Sequence, residues 1–140
     1  MSHTCRALLI HCMDFRLQPE IKKMMEEQGL LGDCDLVALA GAAKNLLDPE
    51  TQALTLKQIG LSRQLHGMKE VHLMNHTDCG AYGGHAAFAG DEAERRKHAD
   101  DLAEAAEIIR REFPDLTVVK WVARLGEQEH GWSVNFEKLD

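Results

Sequence analysis

Two short segments of this chain contain the residue types that bind metal ions, namely HCMDFR at residues 11–16 and NHTDCG at residues 75–80. Zinc holds thiolate and imidazole ligands in a tetrahedron, and a catalytic zinc site leaves one position for water. His76 and Cys79 are separated by two residues, a gap that allows one turn to present both ligands. Cys12 must then arrive from a different strand. The sequence therefore predicts a zinc site formed by Cys12, His76 and Cys79.

Asp14 and Arg16 follow Cys12 closely and add a charged pair to the first segment. An arginine two residues from a carboxylate can hold it in a bidentate pair, which keeps the carboxylate ionised and oriented. Asp14 would then accept a hydrogen bond from zinc-bound water or, if the pair opens, bind the metal itself. The competing interpretation is a surface ion pair of little energetic value. A phosphatase loop is excluded because it needs five residues between cysteine and arginine, whereas three are present.

The alternative to a metal site is a set of buried thiols with a hydrogen-bonded loop histidine. A disulfide between Cys12 and Cys79 would not suit a reducing compartment. Cys5 and Cys34 have no partner in the zinc scheme, so we expect both to be buried or half-buried thiols. Cys12 and Cys79 are therefore predicted metal ligands, whereas Cys5 and Cys34 are predicted to be thiols without a metal.

Apolar runs with strand character alternate with amphipathic segments along the chain. The pattern predicts strands at Arg6 to His11, Cys34 to Leu39, Val71 to Asn75 and Leu116 to Val122, and helices at Leu17 to Gln28, Glu50 to His66 and Glu92 to Phe113. The stretch from Ala40 to Glu50 has the small residues of a loop. The segment from Gly131 to Phe136 is a candidate for an extra strand or arm.

Alternation of strands and helices predicts right-handed βαβ units, hence an α/β fold with a mostly parallel sheet of about four strands and helices on both faces. At 140 residues and 44% hydrophobic content the chain is sized for a single domain, residues 1–140. Ligands gather at the carboxyl ends of parallel strands. We therefore expect the two metal-binding segments to meet at that edge of the sheet.

The amino-acid composition of the chain restricts the kinds of molecule that it is expected to bind. Sixteen basic against twenty-three acidic residues give a formal charge of −7, which argues against a nucleic-acid backbone as the main partner. No apolar run approaches the ~20 residues that span a bilayer, and no leader pattern opens the chain. These features predict a cytoplasmic protein with neither a nucleic-acid nor a membrane partner.

The two metal-binding segments resemble the motifs of a known enzyme family. CMDFR resembles the Cys-x-Asp-x-Arg motif, and HTDC the His-x-x-Cys motif, of the β-class carbonic anhydrases. The order of the motifs, their separation of about sixty residues and the strand–helix layout also match, from Arg6 to about Val122. The resemblance implies a lyase that hydrates carbon dioxide reversibly to bicarbonate, with one zinc ion per chain and assembly as a homodimer or larger homo-oligomer.

By matching position, the resemblance implies that the zinc ligands are Cys12, His76 and Cys79. It makes Asp14 and Arg16 a gating and orienting dyad, with Asp14 as the fourth ligand in a closed state. Zinc-bound hydroxide then attacks the carbon of CO₂. Because Gly80 directly follows a ligand, we expect its backbone N–H to donate to a substrate oxygen.

The chain departs from the family pattern after its second strand, where Ala38-Leu39-Ala40-Gly41 replaces the usual Arg-Asn-Ala-Gly run. The substrate-orienting glutamine and the N-terminal helical arm have no obvious equivalents either. Two alternatives to a carbonic anhydrase therefore remain. One is a related zinc hydrolase acting on COS, CS₂ or another small electrophile, and the other is a zinc-binding or redox-sensing protein without turnover.

Overall fold

The structure is a computed structural model that describes residues 3–140. Strands and helices alternate from the first strand to the fourth, and a fifth strand follows directly. The strands are β1 (Ala7–His11), β2 (Cys34–Ala38), β3 (Glu70–His76), β4 (Thr117–Gln128) and β5 (Gly131–Leu139), and the helices are α1 (Gln18–Glu27), α2 (Lys44–Leu47), α3 (Gln52–His66) and α4 (Asp91–Glu112).

All five strands form one sheet in the order β2-β1-β3-β4-β5. The first four strands of the sequence run parallel, and β5 pairs antiparallel with β4. His11 at the end of β1 lies in register with Met74 of β3, so that β3 continues two residues further to His76. The carboxyl ends of β1 and β3 therefore lie side by side at one edge of the sheet.

Apolar side chains cover both faces of the sheet. On one face, Leu8 and Ile10 of β1 pack with Leu46 of α2, Ile59 of α3 and Leu102 of α4 in one buried cluster. On the other face the neighbouring β1 residues pack against α1, in a cluster that includes Leu9, Ile21, Met24 and Met25. Burial on both faces explains why β1 is a continuous apolar run rather than an alternating one.

The structure confirms the predicted α/β class, with a mostly parallel sheet and helices on both faces. The strand count of about four was one too low, because the segment beginning at Gly131 is a full strand. Its pairing also extends β4 to Gln128, six residues beyond the predicted end at Val122. The stretch predicted as a loop contains the short helix α2, which buries Leu46 completely.

None of the helices in residues 3–140 combines the length and apolar character that crossing a bilayer would require.

Candidate metal centre

Cys12, His76 and Cys79 come together at the carboxyl edge of the sheet. Cys12 is the first residue after β1, His76 ends β3, and Cys79 lies in the turn that follows. Their ligand atoms all lie within 4.8 Å of one another, and the two sulfur atoms are 3.9 Å apart. All three residues are buried. The structure thus brings together the three side chains that the sequence predicted to converge.

The imidazole of His76 is oriented by its own chain. Its Nδ1–H donates to the carbonyl oxygen of Thr77 at 2.6 Å, which leaves Nε2 as the atom with the free lone pair. Nε2 is buried, yet it has no hydrogen-bond partner among residues 3–140. A backbone carbonyl on one ring nitrogen and an unshared electron pair on the other is the arrangement that metal-binding histidines adopt.

The two thiols lie within hydrogen-bonding distance of each other, with their sulfur atoms 3.9 Å apart. This contact lowers the pKa of Cys12 to about 4 and raises the pKa of Cys79. Backbone N–H groups of Gly41 and Asp14 also lower the pKa of Cys12. A divalent cation bound to both sulfurs would favour the thiolate form of each.

The donor set and its spacing fit zinc. Zinc accepts thiolate and imidazole ligands, and two sulfurs at about 2.3 Å from a tetrahedral zinc lie about 3.8 Å apart. The observed separation of 3.9 Å between Cys12 and Cys79 is close to this value. Together with the unpaired Nε2 of His76, it makes this buried group a candidate metal centre.

Asp14 and Arg16 form a bidentate pair beside the three donors. Arg16 Nε lies 3.0 Å from Oδ1 of Asp14, and Nη2 lies 2.7 Å from Oδ2. These hydrogen bonds hold the pKa of Asp14 below its ordinary value. Oδ2 of Asp14 is also 3.7 Å from Nε2 of His76, so the carboxylate faces the metal-binding cluster while remaining paired with Arg16. The side chains are only 13% and 14% exposed, which sets this pair apart from a surface ion pair.

Asp78 anchors the other side of Arg16, a contact that the sequence analysis did not identify. Arg16 Nη1 donates to Asp78 Oδ2 at 3.0 Å, and Nη2 donates to the Asp78 carbonyl at 2.9 Å. Asp78 has a φ of +54°, and its N–H donates to the buried Glu94 at 2.7 Å. A left-handed conformation at a non-glycine residue is strained and needs such partners. Neither signal is visible in the sequence.

Asn75 supports the loop beside Cys12 from within β3. This residue is 1% exposed, and its Oδ1 accepts from the Ala43 N–H at 3.0 Å while its Nδ2 donates to the Tyr82 hydroxyl at 3.0 Å. Tyr82 donates onward to Asp101 at 2.7 Å. The asparagine thus ties both loops around the cluster to the strand. The available signal in the sequence was an amide side chain directly before the predicted ligand His76.

A cleft over the candidate centre is lined by Met13, Phe15, Ala40, Gly80 and Trp132, together with the Asp14–Arg16 pair. Gly80 begins a short 3-10 turn immediately after Cys79. Trp132, near the start of β5, places its ring 4.9 Å from the Arg16 guanidinium. The sequence analysis did not identify this contact, since it depends on the pairing of β5 with β4.

Comparison with known proteins gives a consistent result. A family model described as "Putative carbonic anhydrase" matches residues 2–130. Two proteins described as uncharacterized, from Rickettsia conorii and Rickettsia bellii, are each 35% identical over 124 residues, covering 84% of this chain and 67% and 76% of theirs.

Solved structures resemble the chain in fold. The β-carbonic anhydrase isoform I of Trichomonas vaginalis aligns with a TM-score of 0.58 at 14% identity, covering 96% of this chain and 83% of that one. The β-carbonic anhydrase CafA of Aspergillus fumigatus aligns with a TM-score of 0.52 at 17% identity, covering 99% and 76%. The sequence match and the shared fold together show that this chain belongs to the carbonic anhydrase family and has a β-carbonic anhydrase-like fold.

Proposed function

We propose that the protein is a zinc-dependent carbonic anhydrase, which interconverts carbon dioxide with bicarbonate and a proton. One domain, residues 1–140, would hold one zinc ion through Cys12, His76 and Cys79. The observation that carries this proposal is the buried cluster of these three donors, in which the Nε2 of His76 has no partner among residues 3–140. Membership of the carbonic anhydrase family supports the proposed reaction class.

A bound zinc ion supplies Lewis-acid chemistry, which makes hydroxide available as a nucleophile near neutral pH. Arg16 keeps Asp14 ionised, and the Oδ2 atom of Asp14 faces the donor cluster. From this position Asp14 can accept a hydrogen bond from a proton-bearing group and orient that group toward the substrate. If the pair with Arg16 opened, the same oxygen would be the nearest candidate for a fourth metal ligand. We therefore propose Asp14 and Arg16 as the catalytic dyad.

Substrate would enter through the cleft above the cluster. Met13 and Phe15 are 67% and 74% exposed there, and apolar walls suit a small uncharged gas. Gly80 lines the same cleft directly after Cys79, which supports the proposal that its N–H donates to a substrate oxygen. A developing negative charge on that oxygen would strengthen the hydrogen bond.

A hydrolase acting on COS or CS₂ is the second candidate. It is favoured by the small apolar side chain of Ala40 in the wall of the cleft, which suits a substrate of low polarity. Sulfide release from either substrate by zinc-loaded protein would identify this activity. A zinc-binding or redox-sensing protein would show neither reaction, and its thiol count would change on treatment with peroxide.

The test is stopped-flow CO₂ hydration by zinc-loaded protein from neutral to alkaline pH. We expect C12S and C79S to lose the zinc ion of this cluster, because each removes a proposed ligand. The rate of CO₂ hydration should fall at least a hundredfold in both variants. C34S is the matched control, since Cys34 is half-buried in β2 and lies outside the cluster. A rate no faster than that of free zinc, in folded protein carrying one zinc per chain, would contradict the proposal.

We also propose that the protein assembles as a homodimer or larger homo-oligomer. β2 is an edge strand, and Leu36 at its centre is 55% exposed. Edge strands with exposed apolar side chains favour pairing with a second copy. Light scattering after size exclusion should give a multimer mass that L36K reduces; a monomeric mass for the unmodified protein would contradict this.

We also propose a cytoplasmic location, because a reducing compartment suits the four free thiols.

A further inference from the structure

A second group of metal-binding side chains lies at the opposite end of the sheet from Cys12. Cys5 precedes β1, Asp35 is the second residue of β2, and His66 is the last residue of α3. The Sγ atom, a carboxylate oxygen and an imidazole nitrogen of these residues all lie within 4.8 Å of one another. The Cys5 N–H also donates to the His66 carbonyl at 3.0 Å, so backbone hydrogen bonding fixes two of the three elements together.

The polar contacts of this group already orient its donors. Asp35 Oδ2 accepts from the hydroxyl of Ser62 and from Nδ1 of His66, each at 2.7 Å. The Cys5 thiol donates weakly to its neighbouring Ala7 carbonyl at 3.4 Å. Ser62 therefore positions the carboxylate, as residues outside the ligand set do around many metal ions.

Access and charge both suit a cation. The side chains of Asp35 and His66 are each 31% exposed, and Cys5 is half-buried, so an ion can reach the group from solvent. Burial raises the pKa of the Cys5 thiol, and the negative charges of Asp35 and Asp33 raise it further. The same two carboxylates would attract a divalent cation, whose binding would expel the thiol proton.

The spacing requires only a small adjustment. Nitrogen and oxygen ligands of a tetrahedral zinc lie about 3.3 Å apart, so Asp35 and His66 would have to separate by about half an ångström. Their hydrogen bond at 2.7 Å would break, and the Nδ1 proton of His66 would move to Nε2 through solvent. Side chains that are one-third exposed can make this movement. The ring of His3 packs edge-on against His66, with the ring centroids 5.2 Å apart, and supplies a second imidazole nearby.

We propose that Cys5, Asp35 and His66 form a second binding site for a thiophilic divalent cation such as Zn²⁺, with His3 as its fourth ligand. This site would join the start of β1, the edge strand β2 and the end of α3. It is independent of the proposed reaction, because its residues lie at the amino ends of the strands, away from the cleft. Ser62 acts as a positioning residue through Asp35.

The experiment counts zinc ions in the full-length protein. After equilibration against a zinc-buffering chelator, we expect two zinc ions per chain in the unmodified protein and in C34S, and one in C5S. C34S is the matched control because the Cys34 thiol, although close in sequence to Asp35, donates to the Asp35 carbonyl at 3.3 Å and lies outside the group. C12S should lose the other ion and retain this one.

Cobalt gives a direct readout of the ligands. In a C12S/C34S/C79S background Cys5 is the one cysteine left of the four, so Co²⁺ should produce a sulfur-to-metal absorption band that the additional C5S change removes. S62A, which leaves all three ligands in place, should weaken binding about tenfold.

Equal zinc counts in C5S and the unmodified protein, or no zinc ion retained by C12S, would overturn the proposal. If C5S does not fold, the count in the unmodified protein and the affinity of S62A decide the question. Failure of the carbonic anhydrase proposal would be distinguishable, since it would appear as absent CO₂ hydration while C5S still bound one zinc ion fewer.

Discussion

Replacement of Arg16 by glutamine tests whether the dyad beside the candidate centre is a structural unit. The guanidinium donates to both carboxylate oxygens of Asp14 at 3.0 and 2.7 Å and to Asp78 Oδ2 at 3.0 Å. Arg16 and Asp14 are 13% and 14% exposed at their side chains. Glutamine has one short amide group, so R16Q would leave a largely buried carboxylate without its bidentate partner.

The expected cost follows from that burial. Removing one partner of a buried ion pair costs about 3–5 kcal/mol, because the other charge is left uncompensated. The contact with Asp78 adds little, since that side chain is 48% exposed and screened by water. We therefore expect R16Q to lower the free energy of unfolding by about 3 kcal/mol, which for a chain of this size lowers Tm by roughly 10 °C.

The loss should depend on pH in a defined direction. Hydrogen bonds from Arg16 lower the pKa of Asp14 in the folded protein. A lowered carboxyl pKa adds stability that is fully present above the unfolded-state pKa of about 3.9 and is lost as the pH falls through the folded-state value. The difference in unfolding free energy between unmodified protein and R16Q should therefore be full at pH 7 and shrink below about pH 4.

Urea and thermal unfolding, followed by circular dichroism, measure both effects. The matched control is R96Q, because Arg96 is 70% exposed and pairs with the exposed Glu92 on α4. We expect this control to change stability by less than about 0.5 kcal/mol. If R16Q were no more destabilised than R96Q at pH 7, the reasoning from burial would be refuted.

Three further substitutions test the surroundings of the candidate centre. N75A leaves a buried backbone N–H without its acceptor and should lower the free energy of unfolding by about 2–4 kcal/mol in urea denaturation, whereas an unchanged value would contradict its bridging role. G41A puts a Cβ 3.1 Å from a neighbouring alanine at a φ of +82°, so it should reduce Tm more than G32A, whose φ of +77° is similar but whose Cβ meets nothing within 4 Å. W132A removes the ring over Arg16 and should slow CO₂ hydration several-fold while W132F retains most of the rate; equal rates would show that the contact is dispensable.

The parts of the fold that could be predicted from sequence are those set by local pattern. Continuous apolar runs marked β1 and β3, and the spacing of apolar residues marked α1, α3 and α4, within a few residues of their ends. Ligand-type residues directly after β1 and at the end of β3 also indicated where the candidate centre would form, because parallel strands end at a common edge.

Contacts between distant segments could not be predicted in this way. The β5 strand has weak local periodicity, and nine residue pairs with β4 define it. The position of Trp132 over Arg16 follows from that pairing. The left-handed Asp78 depends on Glu94, which lies sixteen residues further along the chain. Each of these features depends on a partner in another element of the structure.

The sequence by itself determined which donors this protein offers to a metal ion and at which strand ends they stand, because residue type and strand pattern are local properties. Only the tertiary structure decided that Arg16, the partner of Asp14, is anchored by Asp78 of the second segment, and that Cys5, Asp35 and His66 gather at the far end of the sheet. Those arrangements depend on strand order, register and helix packing, which the burial of apolar surface fixes for the chain as a whole.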